Sequence, residues 1–103
     1  MGKDFEVRKE GSVLTVVLGN ELAAANAPAL MEELMPYKDQ DIERVVFDTT
    51  KLTLLSSSGV RIIIYCRQKL SGRPEIVFVN CNKGVLDVLD IVGLCPFITF
   101  ETR

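Results

Sequence analysis

Short runs of β-branched and aromatic residues alternate in this chain with segments of helical spacing, and this alternation limits the fold more than any other feature. Residues 44–48 and 75–79 are buried-type strand runs with helical segments between and after them. Strands joined through a helix are parallel, because the helix returns the chain to the same end of the sheet. Residues 5–9 and 13–18, joined by turn residues 10–12, predict an antiparallel hairpin. The order β-β-α-β-α-β-α-β therefore predicts an α/β fold, a mixed β-sheet with helices packed on it.

The first helical segment is rich in Ala, Leu, Glu and Met and covers residues 23–35. Asn26 can act as a cap, and Pro28 suits a first helical turn. Pro36 cannot continue a helix, so we expect the helix to end before it.

Apolar residues at helical spacing predict two further helices. The second opens at the serines of residues 56–59 and runs to about residue 70. The third covers residues 83–92, and Gly93 fits the left-handed position after its end. Residues 49–55 predict a β-rich segment that crosses the strand end. Residues 13–18 do not alternate, which predicts a strand covered on both faces.

Size and charge exclude several classes of function. The 103 residues fit a single domain, residues 1–103. The net charge is −2 and the basic residues do not form a stripe, so we expect no nucleic-acid binding. The longest apolar run, residues 60–66, contains Arg61 and is far shorter than the roughly 20 residues of a membrane span. The first residues lack a secretory signal, and Gly2 is a poor lipidation signal because Glu6 replaces the expected Ser or Thr.

Histidine and cysteine usage argues against catalysis. The chain has no histidine, so the commonest general base and any Ser-His or Cys-His pair are missing. Cys66, Cys81 and Cys95 have apolar neighbours, which indicates buried reduced thiols and a cytoplasmic location. Three cysteines do not close a zinc site, and the chain has no phosphate-binding loop. We therefore expect a protein that is not an enzyme, with no catalytic residues, metal or cofactor.

Four motifs, in order and at compatible spacing, resemble the STAS family, the domains of bacterial anti-sigma-factor antagonists that also occur in sulfate transporters. Residues 19–22 lie where the family reads G-x-L-D, and residues 45–48 match its third strand. Residues 55–59 match its hydrophobic-D-S-S-G motif, and residues 89–94 match its late L-x-x-x-G-L. The resemblance covers nearly the whole chain and implies a STAS-like fold.

The resemblance also implies a function and a switch. In the family, a serine kinase that is itself the anti-sigma factor phosphorylates the first serine after the motif's Asp, which corresponds to Ser57. The unphosphorylated protein captures the kinase and frees its sigma factor for transcription. Phosphorylation breaks the complex, and a serine phosphatase restores it. Ser56 and Ser58 are alternatives if the register differs by one residue.

Two departures keep a second interpretation open. Ser56 replaces the motif's Asp, and Ala23 replaces the Asp that usually ends G-x-L-D. The alternative is a STAS subunit that is not phosphorylated and acts as a scaffold or adaptor in a signalling or lipid-transport complex. For either interpretation we expect a monomer or weak dimer.

A helix N-terminus explains why this position suits a switch. Its free N–H groups and positive dipole end can hold a phosphate, and Arg61 follows Ser57 by four residues, on the same helical face. We expect Gly59, which has no side chain, to allow close approach of a kinase. Asp48 either supports the strand end or contacts the partner. The predicted partner-binding residues are Ser56, Ser57, Ser58, Gly59, Arg61, Asp48, Asn20 and Glu21.

Overall fold

The structure, a computed structural model, describes residues 5–103. The predictions on a secretory signal and on lipidation at Gly2 concern the first four residues and lie outside the described residues. The strands are β1 (Phe5–Glu10), β2 (Val13–Leu18), β3 (Glu21–Leu22), β4 (Arg44–Asp48), β5 (Leu54–Leu55), β6 (Glu75–Val79) and β7 (Ile98–Glu101). The helices are α1 (Ala27–Leu34), α2 (Ser57–Lys69) and α3 (Lys83–Ile91), with 3₁₀ turns at Met35–Tyr37 and Cys95–Phe97.

Five strands form the central sheet in the order β1-β2-β4-β6-β7. The hairpin pair β1 and β2 is antiparallel, and the pairs β2–β4, β4–β6 and β6–β7 are parallel. The mixed α/β fold and the parallel pairing of strands joined through helices are thus confirmed.

The two faces of this sheet are covered differently. Side chains of all three helices join the larger buried cluster, on one face of the sheet. Its members from β2, β4, β6 and β7 are Leu14, Val16, Leu18, Val45, Phe47, Ile76, Phe78 and Ile98. Val46, Val77 and Val79 form a separate cluster on the opposite face, where Val13 packs against them. That face of β2 is only half-buried, so the prediction of a strand covered on both faces is wrong.

A polar network lies on the face that carries the small valine cluster. Arg44 Nε donates to Glu75 Oε1 at 3.1 Å, and Thr99 Oγ1 donates to Glu75 Oε2 at 2.9 Å. These residues point to the same side as Val46 and Val77, because side chains alternate along a strand. The valines are buried although the described residues place no helix on this face.

Helix α1 starts four residues later than predicted. Asn26, at the position before the helix, does not cap it with its side chain. Its Oδ1 accepts from the backbone N–H of Ala23 at 2.9 Å, and its Nδ2 donates to the carbonyl of Glu21 at 2.8 Å. These bonds hold residues 23–26 in a turn. At the other end, Pro36 lies within a 3₁₀ turn that continues the helix.

Residues 49–55 contain less strand than predicted. Only Leu54–Leu55 is extended, and it pairs in parallel with Glu21–Leu22 to form a second, two-stranded sheet. At the far end of the chain, Gly93 adopts the predicted left-handed conformation (φ 78°) after α3, and the N–H of Leu94 donates back to the Leu89 carbonyl at 2.9 Å. Within residues 5–103, no helix has the length and apolarity needed to cross a membrane.

Candidate functional site

The serine cluster lies at the N-terminus of α2. Ser56 is the N-cap residue, with extended backbone (φ −95°, ψ 176°), and Ser57 is the first helical residue. The Ser56 carbonyl accepts from the N–H of Val60 at 2.9 Å. The first turn of α2 has no acidic side chain, so the positive end of the helix dipole is not compensated within the helix.

The small β3–β5 sheet holds this helix end in place. The N–H of Ser56 donates to the carbonyl of Leu22 at 3.0 Å. The carbonyl of Asn20 accepts from the N–H groups of Thr53 (2.8 Å) and Leu54 (3.2 Å). The structure therefore brings Asn20 and its neighbour Glu21 beside the segment that leads into Ser57.

The three serines differ in accessibility. The Ser56 hydroxyl oxygen is buried and has no hydrogen-bond partner within the described part of the chain. Ser58 is half-buried. Ser57 is exposed, and its hydroxyl makes no hydrogen bond to residues 5–103. A large enzyme active site can reach Ser57 more easily than either neighbour.

Gly59 has a different role from the expected one. It is buried, and a Cβ built on it would lie 2.7 Å from the Leu22 carbonyl oxygen and 2.6 Å from Leu55 Cδ1. Real Cβ atoms do not come this close to backbone atoms. The missing side chain thus lets α2 pack tightly on β3 and β5. It does not open the surface to a partner, because its bare Cα faces the protein interior.

Arg61 lines a groove between the first turns of α1 and α2. The groove has a volume of about 350 Å³, and Pro28, Met31 and Ser58 line it as well. Arg61 is exposed and forms no ion pair with the described residues. Its guanidinium is therefore available to an anion near the start of α2.

Asp48 is separated from the serine cluster by the sheet. Phe47 belongs to the helix-side core, so the next side chain points to the opposite face. Asp48 Oδ1 accepts from Thr50, from the N–H at 3.1 Å and from the hydroxyl at 2.6 Å. Asn80 extends this network, because its Nδ2 donates to Thr50 Oγ1 at 2.9 Å. Asp48 thus supports the strand end, and the structure does not bring it to Ser57 as a shared contact surface.

Leu54 is an exposed residue of this region that sequence reasoning missed. Its side chain is 50% exposed, and it lies three residues before Ser57. Successive strand residues face opposite sides, so Leu54 is exposed because Leu55 is buried. The sequence alone does not show this alternation, because the strand has only two residues and both are leucine.

The cysteines have different environments. Cys66 is buried in the main core, and burial raises the pKa of its thiol to about 12. Cys81 and Cys95 are half-buried, so the prediction of three buried thiols is wrong for these two. Burial also raises their pKa values, which keeps both thiols protonated at neutral pH.

These features define a class: a small α/β domain in which a two-stranded sheet positions a serine-bearing helix N-terminus at the surface. The family model of the STAS domain matches residues 4–103. The chain therefore belongs to the STAS domain family. BtrV of Bordetella bronchiseptica, named as a candidate anti-sigma factor antagonist, is 30% identical over 86 residues, which cover 82% of this chain and 74% of BtrV.

Solved structures share the fold. The anti-sigma factor antagonist SpoIIAA in its unphosphorylated form superposes with a TM-score of 0.81 at 17% identity, covering 96% of this chain and 89% of that chain. The Bacillus cell fate determinant SpoIIAA in its phosphorylated form gives a TM-score of 0.74 at 16% identity, covering 96% of this chain and 92% of that chain. At these identities the likeness concerns the fold alone.

Proposed function

We propose that this chain is an anti-sigma factor antagonist that binds an anti-sigma factor kinase while Ser57 is unphosphorylated and releases it when Ser57 is phosphorylated. A serine phosphatase would reverse the switch, and the proposal sets this function in the bacterial cytoplasm. The observation that carries the proposal is the exposure of Ser57 at the helix N-terminus of a STAS domain, between a buried Ser56 hydroxyl and a half-buried Ser58.

The electrostatics of α2 support release at the interface without unfolding. A phosphate adds about −1.5 to −2 charges at neutral pH. At Ser57 this charge would lie at the positive end of the helix dipole, four residues before Arg61, which forms no ion pair within residues 5–103. Both interactions stabilise the phosphorylated helix. The new charge and bulk instead oppose a partner that packs over this surface.

The proposed role is binding without catalysis. The sequence contains no histidine, and the exposed Ser57 hydroxyl has no base within hydrogen-bond distance among the described residues. An activated serine nucleophile needs such a base.

Paired variants test the switch. The protein is incubated with the anti-sigma factor kinase of the same organism and ATP, and the modified residue is mapped by mass spectrometry. We expect one phosphate, on Ser57. The Ser57→Ala variant should bind the kinase like the wild type, whereas Ser57→Asp should lose binding. Thr102→Asp, at an exposed position outside the helices and strands, adds the same charge as a control and should retain binding.

Phosphorylation at a different residue would contradict the proposal, and so would equal binding by both Ser57 variants. The second result would favour the alternative, a scaffold or adaptor that is not phosphorylated. One feature favours that alternative: Ser56 stands where the family motif has an Asp, and the first turn of α2 lacks an acidic side chain.

A further inference from the structure

Exposed large hydrophobic side chains concentrate in one stretch of the chain. Of the seven in the described residues, five lie between residues 86 and 100. These five are Leu86, Ile91, Val92, Phe97 and Phe100, and the other two are Met35 and Leu54. Ile91, the last residue of α3, is 84% exposed, the highest value among them. Ile91, Val92 and Phe97 lie at the end of α3 and in the 3₁₀ turn that follows it, and exposed apolar surface there points to an interaction site.

An apolar slot lies beside this stretch, between α2 and the 3₁₀ turn before β7. Its volume is about 210 Å³, and Ile64, Leu94 and Phe97 are among the side chains that line it. Small-molecule sites usually measure about 300–1,000 Å³. The slot is smaller than that, and its size suits a single anchoring side chain of a protein.

Unpaired charges of opposite sign accompany the slot and the exposed isoleucine. Arg67 lines the slot with its guanidinium carbon 4.2 Å from the centre of the Phe97 ring. Arg67 and Arg73 are exposed and form no ion pair within residues 5–103. Next to Ile91, the exposed Asp90 also has no ion-pair partner among the described residues. Arg67 thus places positive charge at the slot, and Asp90 places negative charge beside the projecting Ile91.

Topology places both features at the same end of the molecule. Strands β4, β6 and β7 are parallel, so α2 and α3, which connect them, both end where the next strand begins. Ile91 ends α3, and Ile98 in the slot is the first residue of β7. A surface that carries a projection and its complementary slot side by side can pair with its own copy about a two-fold axis.

The two edge strands of the central sheet also differ in how well they are protected against association with another chain. The edge strand β1 carries Glu6, Arg8, Lys9 and Glu10, charged residues that discourage edge-to-edge association. The edge strand β7 has the sequence ITFE, and its Phe100 is 39% exposed. The side of the molecule that bears the slot is therefore the less protected one.

We propose that two copies of this chain associate through this surface as a two-fold symmetric dimer. Ile91 of each copy inserts into the slot of the other, and Asp90 faces Arg67 across the interface. Ser57 lies at the opposite end of α2, so each copy keeps its serine surface free. The dimer does not depend on phosphorylation of Ser57. An experiment that refutes the proposed function would therefore leave the dimer proposal unaffected.

Sedimentation equilibrium of the full chain tests the dimer. We expect reversible dimerisation, and Ile91→Ser should weaken the dimer roughly tenfold or more because it removes the anchoring side chain. Met35→Ser removes an exposed hydrophobic side chain outside this surface and serves as the matched control, with unchanged affinity. A wild-type chain that stays monomeric at about 1 mM overturns the proposal, and so does a dimer that Ile91→Ser leaves intact.

A charge exchange tests the two-fold arrangement. Arg67→Glu alone places two carboxylates together at both contacts, and Asp90→Arg alone places two guanidinium groups together, so each variant should dimerise more weakly than the wild type. A mixture of the two variants restores one original and one reversed attractive contact. We expect the mixed dimer to recover wild-type affinity. Failure of the mixture to recover, with both variants folded by circular dichroism, overturns the arrangement.

Discussion

Gly59 is the residue whose substitution most directly tests how the site is built. Helix propensity alone favours Ala over Gly by about 1 kcal/mol in a helix interior. At Gly59 the added Cβ would meet the Leu22 carbonyl oxygen at 2.7 Å, and a backbone atom cannot rotate away. We expect Gly59→Ala to lower the free energy of unfolding by about 1–3 kcal/mol, because α2 must shift from β3 and β5. Urea denaturation measures the change.

Gly84 in α3 is the matched control. It is exposed, and a Cβ there would meet only the Asn82 side chain, at 3.4 Å. Gly84→Ala should raise the free energy of unfolding by about 0.5 kcal/mol through helix propensity and reduced flexibility of the unfolded chain. A Gly59→Ala protein as stable as the wild type would contradict the close packing described for α2.

Cys66 makes the stability of the fold sensitive to high pH. Its thiol pKa is raised from 9.0 to about 12 by burial, so between these values the unfolded chain releases a proton that the folded chain retains. The unfolded state then binds fewer protons, and stability falls as the pH rises. The loss is about 1.4 kcal/mol for each pH unit above 9. Urea denaturation at pH 8 and pH 10 measures it.

Other groups titrate in the same range, so the wild type must be compared with Cys66→Ala. Burial also raises the pKa values of Tyr65, Cys81 and Cys95, and these groups add to the loss in both proteins. Cys66→Ala should be less stable at pH 8, because the cavity costs packing, yet lose about 1.4 kcal/mol less on going to pH 10. Equal losses in the two proteins would show that Cys66 does not contribute.

At the scale of elements, Asn26 links the loop before α1 to the sheet that holds Ser56. It is buried, and its side chain bonds the N–H of Ala23 and the carbonyl of Glu21. Asn26→Ala leaves both groups without these bonds, so we expect a loss of about 1–3 kcal/mol in the free energy of unfolding. Hydrogen exchange at the Ser56 amide, which donates to Leu22, should also become faster because β3 loosens.

Asn20→Ala provides the comparison for this change. Asn20 is exposed, and its contacts with Thr53 and Leu54 use the backbone carbonyl, which the substitution keeps. We expect its free energy of unfolding to stay within about 0.5 kcal/mol of the wild type. Equal effects of the two substitutions would refute the linking role of Asn26.

Sequence reasoning located the elements that have a clear period or a clear boundary. The strands at residues 13–18, 44–48 and 75–79 and the start of α2 in the serine cluster agree with the structure. The pairing of β3 with β5 was not predictable from pattern, since two residues show no alternation. The start of α1 was placed too early, because a side chain such as that of Asn26 can cap a helix or brace a loop with the same atoms.

The candidate site was predicted only in part, because some of its features depend on local sequence and others on tertiary packing. The place of Ser57 at a helix start is specified by local sequence, whereas its exposure beside a buried Ser56 hydroxyl is set by the packing of α2. The burial of Gly59 and the opposite face of Asp48 depend on which neighbours the fold supplies, and no local pattern encodes them. The residues of β3 and β5 that lie beside Ser57 could not be predicted without knowing that these two strands pair.

At the scale of the whole molecule, the parallel strands separate two surfaces. Ser57 begins α2, and Arg67 lies near the other end of this 13-residue helix. At 1.5 Å per residue, their positions are about 15 Å apart along the helix axis. Substitutions at sites more than about 10 Å apart that share no contacts usually act additively.

This separation predicts that the two surfaces act independently. Ser57→Asp should leave the dimer dissociation constant within about twofold of the wild type, and Ile91→Ser should change kinase affinity by no more than about twofold. The double variant should show both losses at their single-variant size, measured by sedimentation for the dimer and by calorimetry for the kinase. A larger change in either cross-measurement would mean that the kinase reaches across both ends of α2 or that α2 shifts as a unit. The start of α2 is anchored by the close packing of Gly59 against Leu22, so Gly59→Ala should let the helix shift more easily. If α2 shifts as a unit, adding Gly59→Ala to Ser57→Asp increases the effect of Ser57→Asp on the dimer dissociation constant. If the kinase spans both ends of α2, adding Gly59→Ala leaves that effect unchanged.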